Sequence, residues 1–297
     1  MELHQLRYFV AVADLKNFTR AAEKCFIAQP SLSQQIINLE KELGRPLFER
    51  LGRKVRLTDA GQSLYEQAVS ILTSVEEAKR RVSEADDPQR GKVSIGAIPT
   101  VAPYLLPPLL KQFARKFPHA EVAVQEALTE NTVQGCLAGD LDVGVVALPL
   151  AHDQLHIETL FREELLLAIP PGHRFTKKRR ITLEDVSEEP FILLDEIHCL
   201  GEHILRFCTQ NDCHPLVQCR SAQLLTVQEL VALGQGVSLI PAMACDVDRG
   251  KRCRYRSLAG VKPTRTLAVI WHKLRYRSPL VLQFIETVRG YRSTLAK

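Results

Sequence analysis

Four apolar residues near the N-terminus decide much of what the first third of this chain can become. Leu32, Ile36, Leu39 and Leu43 step by four, three and four, a period that lays them along one stripe of a helix. Pro30 falls in the first turn of that helix, where its missing N–H costs nothing. The opposite face carries Ser31, Gln34, Gln35 and Asn38. These side chains are able to reach base edges in a major groove, and glutamine matches the N6 and N7 of adenine. Upstream, Leu3, Leu6, Val10 and Ala13 keep helical spacing, and Asn17 is placed to cap a second short helix packing through Ala21, Ala22 and Cys25. Two short helices, a turn through Ile27 and Ala28, and a polar-faced third helix describe a helix-turn-helix. A plain three-helix packing unit with a wet face fits the same pattern.

The next segment favours DNA. Gly52-Arg53-Lys54-Val55-Arg56-Leu57 reads as a short basic β-ribbon opened by a turn glycine. Arg45, Arg50, Arg53, Lys54 and Arg56 are opposed there only by Glu49, and such a wing supplies phosphate contacts that position without reading sequence. Gln29, Pro30, Ser31, Ser33 and Gln34 are the residues expected near the bases, with Arg50 and Arg53 on phosphates. Thr58 is placed to cap a long helix from about Asp59 towards Ala85. In it Leu64, Ala68, Ile71, Val75, Ala78 and Val82 alternate steps of four and three, a seam suited to pairing with a second copy through Leu64, Ile71 and Val75. Packing against its own domain is the other reading of that stripe.

Beyond Lys92 the texture becomes α/β. Apolar runs at Val93–Gly96, Val122–Val124, Asp142–Val146, Leu165–Ile169, Phe191–Leu194, Val237–Ile240 and Leu267–Ile270 alternate with helical segments. That alternation predicts parallel-rich sheets flanked by helices, and about two hundred residues divide naturally into two lobes with a cleft between them. The resulting division is 1–58 for DNA binding, 59–90 for the linker and dimerisation helix, and 91–297 for a regulatory domain. No apolar run approaches a membrane span, and Glu2 and Asp14 make the N-terminus unlike a signal peptide, so a cytoplasmic protein without a membrane partner is expected. The net charge of +5 is too mild to identify a nucleic-acid partner by itself. Eight cysteines are many for a reducing compartment. None forms a C-x-x-C pair, and buried packing is their default role.

The run LRYFVAVADLKNFTRAAEKCFIAQPSLSQQIINLEKELGRPLFERLGRKVRLTDAG resembles the winged helix-turn-helix of LysR-type transcriptional regulators. The resemblance implies a winged helix-turn-helix, a linker helix and a two-lobed domain like periplasmic binding proteins. It also implies operator DNA and RNA polymerase as partners, and self-association as a dimer extending to four subunits. IGAIPTVAPYLLP and LLDEIHCLGEHILRFC are similar to the peroxide-sensing OxyR branch of that family. Carried over, Cys199 reacts with hydrogen peroxide and Cys208 resolves the product into a disulfide. His198 shapes the pocket, Thr100 and Thr129 hydrogen-bond peroxide, and Arg265 in KPTRTL steadies negative charge near the sulfur. Ile197 replaces the glycine usual before His-Cys, and Gln218 stands where some members have histidine.

The residues add their own chemistry. A cysteine at the start of a helical run gains thiolate character from unpaired N–H groups and the helix dipole. Cysteines nine residues apart on a helix lie roughly 13 Å apart along its axis, whereas a disulfide needs Cα atoms about 4.4–6.8 Å apart. The pair can bond only if the helix opens, which makes it a switch. Two rivals stay open: a regulator whose cleft binds an organic co-inducer through Thr100 and Thr129, and a metal- or thiol-responsive one using His198, Cys199, Cys208, Cys213 and His214. No phosphate-binding glycine loop, G-x-S-x-G elbow or zincin pair is found, so neither an enzyme nor a resident cofactor or metal is expected.

Overall fold

The computed structural model describes the chain apart from residues 52–53, 85–89, 196–197, 249–251 and 296–297. Two compact units result, Met1–Asp86 and Asp87–Lys297.

In the first unit, α1 (Leu3–Leu15), α2 (Phe18–Lys24) and α3 (Gln29–Leu43) precede a hairpin of β1 (Phe48–Leu51) and β2 (Lys54–Leu57), and α4 (Asp59–Glu84) follows. The Asn17 side chain accepts from the N–H of Arg20, capping α2 as its position predicts. Pro30 sits in the first turn of α3 and Gly44, at φ 67°, ends it in the left-handed region. The Thr58 hydroxyl accepts from Gly61 N–H at 3.0 Å at the start of α4. Leu32, Ile36 and Leu39 are buried against Leu6, Phe9, Val12 and Ala21. Two sequence expectations shift. Leu3 and Leu43 are exposed, because Phe9 and Val12, not Val10 and Ala13, continue the α1 stripe from Leu6 into the core. The wing also has a partner strand: β1 pairs antiparallel with β2, Glu49 opposite Arg56.

The linker stripe divides. Ala68 is buried and Leu64 packs partly into the same core, so the start of α4 belongs to its own unit. Ile71 and Val82 are exposed on this single chain.

The second unit contains β3 (Gly91–Ala97), α5 (Ala102–Lys116), β4 (Ala120–Glu126), α6 (Thr129–Ala138), β5 (Val143–Ala147) and β6 (Leu155–Ile169). There follow α7 (Leu183–Ser187), β7 (Pro190–Leu194), α8 (Cys199–Gln210), β8 (Leu216–Ser221), α9 (Leu224–Ala232), β9 (Ser238–Pro241) and α10 (Ala242–Asp248). The unit closes with β10 (Arg254–Arg256), β11 (Thr264–His272) and α11 (Pro279–Leu295). Among the described strands, β3 pairs in parallel with β4 and β5, and β7 with β8, with one further parallel bridge between Phe191 and Val237. β11 runs antiparallel to both β5 and β6, and β6 also takes β9 and β10 antiparallel. The sheets are therefore mixed, not parallel-rich, because β6 and β11 carry the chain across and back.

Two cores make the two lobes. One gathers Val93, Ile95, Leu105, Val145, Val269 and Phe284. The other gathers Leu167, Phe191, Leu193, Val227, Leu239 and Ile240. β6 enters both: Leu155 and Leu160 belong to the first, Leu165 and Leu167 to the second. Among the described residues no helix is long and apolar enough to cross a membrane.

Candidate redox site and DNA-reading surface

The redox candidates meet where helices begin. Cys199 is the first residue of α8 with His198 as N-cap, Thr129 is the first residue of α6, and Thr100 lies just before α5. Helix starts present unpaired N–H groups and a partial positive charge. Cys199 is partly buried against the first lobe's core, whereas Leu200, Ile204 and Cys208 of the same helix are buried in the second. α8 thus begins at one lobe and packs into the other. Its seating is tight: a Cβ at Gly201 would lie 2.3 Å from the Leu194 carbonyl oxygen and 2.9 Å from that of Asp195.

Beside this start lies a buried ion pair. Arg265 Nε donates to Glu163 Oε1 at 2.7 Å, Nη1 to the Thr100 hydroxyl at 2.7 Å and Nη2 to the Thr100 carbonyl at 3.0 Å. Both charged side chains are nearly fully buried. Strand register brings them together, since Arg265 on β11 stands directly opposite Glu163 on β6. The other Glu163 oxygen, Oε2, accepts from Met243 N–H at the start of α10. Glu163 was not anticipated from the sequence. Only strand pairing finds it, and the stretch before Leu165 reads as polar rather than as the first half of a long strand.

This pairing corrects the expected electrostatics. Burial pushes the Cys199 thiol above its ordinary value, opposed by a Thr129 hydrogen bond, the Arg265 charge and the N–H groups of Leu200 and Cys199 itself. The helix start does favour thiolate, as expected, but desolvation outweighs it. The Arg265 charge that favours thiolate is itself paired with Glu163. Cys208, 2 % exposed, is pushed up to about 12 by burial and the neighbouring Cys213. All eight cysteines are free thiols.

His198 is buried and, with Thr100, lines a cavity of about 600 Å³. Tyr104 contributes from the first lobe, and Gln228 and Asp248 from the second. Thr129 is not among its lining residues; its side chain hydrogen-bonds Cys199 instead. The residues of the metal reading also separate. Cys208 and Cys213 sit in the second lobe's core, Cys199 is at the other end of α8, and His214 is exposed. Among the described residues no cluster of three or more His, Cys, Asp or Glu is arranged to hold a metal. Ile197 lies outside the described residues; Gln218 is exposed on β8.

On the N-terminal unit, Gln29, Pro30, Ser31 and Gln34 are exposed at the start of α3, with Ser33 partly so. Gln29 Nε2 donates to the Ser33 hydroxyl at 2.8 Å and Gln34 Nε2 to Asn38 Oδ1 at 3.0 Å. These bonds pre-orient the side chains and use the Gln29 and Gln34 amide nitrogens as donors. Gln35, grouped with that face in the sequence reading, is turned inward instead: its Oε1 accepts from Gln5 Nε2 at 3.1 Å, tying α3 to α1. The Arg50 backbone lies in β1 opposite Val55, while its side chain and all of Arg53 lie outside the described residues.

Comparison with known proteins agrees with both halves. The bacterial regulatory helix-turn-helix family of lysR type matches residues 3–62, and the LysR substrate binding domain matches residues 86–292. A "Hydrogen peroxide-inducible genes activator" from Pectobacterium carotovorum subsp. carotovorum is 35 % identical, covering 100 % of both chains. The "DNA-binding transcriptional dual regulator OxyR" of Escherichia coli K12 is 34 % identical over 99 % of this chain and 96 % of its own. Among solved structures, full-length OxyR C199D from Pseudomonas aeruginosa superimposes with a TM-score of 0.76 at 30 % identity, covering 98 % of this chain and 94 % of that one. A helix-turn-helix joined to a two-lobed domain, matched over nearly its whole length by these relatives, makes this chain a member of the LysR family of bacterial transcriptional regulators.

Proposed function

We propose that the chain is a peroxide-responsive regulator that binds operator DNA through α3 and the wing and is switched at Cys199. The observation that carries this is the placement of Cys199: a thiol at a helix start, hydrogen-bonded to Thr129 and facing the Arg265 charge, with Cys208 on the same helix. The full-length resemblance to peroxide-inducible activators supports it. In the reaction the Cys199 thiolate attacks one peroxide oxygen, giving Cys199 sulfenic acid and water once a proton is taken up. Cys208 then attacks that sulfur, a second water leaves and the disulfide forms. Thr129 holds the reacting sulfur. The Thr100 hydroxyl, which already accepts from Arg265, keeps its own proton to donate to peroxide. Because α8 must open for the disulfide, oxidation lifts Leu200 and Ile204 out of the second lobe's core.

The division into 1–58 for reading, 59–90 for linkage and 91–297 for sensing goes with this proposal. So do a cytoplasmic location, association through Leu64, Ile71 and Val75 into a dimer or tetramer, and contact with RNA polymerase. Consumption of one peroxide per switching event makes the protein a stoichiometric sensor and not a turnover enzyme. The deciding experiment is mass mapping of every cysteine after brief exposure to stoichiometric peroxide. Cys199 oxidises first, Cys199→Ser abolishes the DNA-binding response, and Cys208→Ser leaves a trappable sulfenic acid. Oxidation of other cysteines while Cys199 stays reduced would leave only the LysR assignment.

A further inference from the structure

Cys213 is not part of the two-cysteine switch described above, yet the fold places it against Cys208. It follows α8 by three residues, and its N–H donates to the Cys208 carbonyl at 2.9 Å, closing the turn that ends the helix. Both side chains are buried in the second lobe's core, 2 % and 4 % exposed, and the two thiols hydrogen-bond each other. The Cys213 sulfur also contacts the Leu183 carbonyl at 3.7 Å, which anchors it to α7. Cys208 therefore has two prospective partners with opposite structural demands. Bonding to Cys199 requires α8 to open. Bonding to Cys213 requires only that two thiols already in contact lose their hydrogens, across a turn that is already closed.

We propose that Cys213 is a third thiol of the switch, which takes Cys208 over from Cys199 by intramolecular disulfide exchange and ends the signal. The inference rests on the Cys199–Cys208 reading above. The Cys213 thiolate attacks the Cys208 sulfur, the Cys199–Cys208 bond breaks, a Cys208–Cys213 bond forms, and the proton lost by Cys213 ends on the departing Cys199. One disulfide and one thiol stand on each side, so no added oxidant or reductant is needed. The direction follows from packing. The first disulfide holds Leu200 and Ile204 out of the core, whereas the second lets α8 reform with both returned to it. The oxidised form would then be a pulse whose length is set within the chain. A small dithiol reductant would be needed only afterwards, to return Cys208 and Cys213 to thiols.

The full-length protein tests this in two arms. After a stoichiometric peroxide pulse, samples are acid-quenched over time, alkylated and digested without reduction. Trypsin cuts after Arg206 and Asp-N before Asp212, which separates the three cysteines. The Cys199–Cys208 species should rise first and then decay as Cys208–Cys213 appears, with Cys199 again open to alkylation. Cys213→Ser should prolong the first species at least tenfold. Persistence of Cys199–Cys208 with Cys213 still reduced overturns the exchange, as does an unchanged lifetime in Cys213→Ser. In the second arm Cys199→Ser is treated with diamide, which bypasses peroxide chemistry. A Cys208–Cys213 bond should form with the thermal stability of the protein retained, and its absence overturns the pairing. If wild-type Cys199 never oxidises while diamide still links Cys208 to Cys213, the peroxide reading and the exchange fall while the thiol pairing survives.

Discussion

Replacing Glu163 by Gln tests whether the buried ion pair holds the sensor back. Glu163 accepts from Arg265 Nε and from the Met243 N–H, so Gln preserves the shape and one acceptor while removing the charge that cancels the guanidinium. Breaking a buried pair by neutralising one partner costs about 3–5 kcal/mol. With an acceptor retained, a cost near the lower figure is expected, or about 6–12 °C in Tm for a unit of this size. The same change unmasks Arg265 towards Cys199. Over the several ångströms typical of such a pair, and at an effective dielectric of about 20, a unit charge is worth on the order of 2 kcal/mol. If half of that is what Glu163 conceals, the Cys199 pKa falls by about one unit. Thiolate at neutral pH then rises about tenfold, and the accompanying loss of intrinsic nucleophilicity trims the gain in rate to about threefold. Iodoacetamide alkylation of Cys199 across pH gives the pKa, and stopped-flow mixing with peroxide at 15 °C gives the rate. A variant that melts early with an unchanged or higher Cys199 pKa would refute the reasoning and leave the pair a purely structural device.

Other perturbations have defined outcomes. In the wild type, the raised Cys199 pKa means that its peroxide rate should climb nearly tenfold per unit between pH 7 and 8; a flat stopped-flow profile would contradict it. Thr129→Val should raise that pKa further and slow oxidation severalfold, read by the same alkylation curve. Gly201→Ala, whose Cβ would meet the Leu194 carbonyl at 2.3 Å, should lift α8 off β7, costing about 1–3 kcal/mol in a denaturant melt. On the N-terminal unit, Gln34→Ala should alter operator preference and Gln35→Ala mainly stability, by about 1 kcal/mol for the lost Gln5 bond; selection on randomised operators separates the two.

The helices of the N-terminal unit were legible because their signals are local. Asn17, Pro30 and the spacing of Leu32, Ile36 and Leu39 act within a turn or two of themselves, and each is found where its chemistry puts it, Leu43 alone of that stripe being exposed. Gln35 was misassigned because helical period gives a direction but not a partner; Gln5, thirty residues away, turns it inward. The same limit hid the first ten residues of β6. His156, Glu158, Arg162, Glu163 and Glu164 make that stretch look polar, yet it pairs along its length with β11. With the pairing unseen, Glu163 could not be placed beside Arg265, and the thiol was expected to be more acidic than its surroundings make it. Cys199 and Cys208 were recognisable from resemblance and from their common helix. The contact of Cys208 with Cys213 depends on the turn after α8, whose closure at Asp212, φ 53°, no spacing rule announces.

The location of the ion pair also bears on how a change at one sulfur could reach the whole unit. Glu163 lies on β6 between Leu160, in the first lobe's core, and Leu165, in the second's. Arg265 occupies the matching point on β11, and through Thr100 it reaches the start of α5 in the first lobe. Met243, whose N–H binds Glu163, begins α10 directly after β9, a strand seated on the second lobe's half of β6. The Cys199 sulfur is thus not buried within one rigid lobe, where loss of α8 packing would stay local. It sits at the crossing strands, with its own helix anchored in one core and its side chain resting on the other. Opening α8 removes Leu200 and Ile204 from the second core and Cys199 from the edge of the first in a single step. A change of the same size at the far end of α8, near Cys208 and Cys213, disturbs only the second core. On the proposed mechanism, that difference lets a disulfide drawn across the whole helix act as a signal, while one confined to its far end leaves the fold at rest.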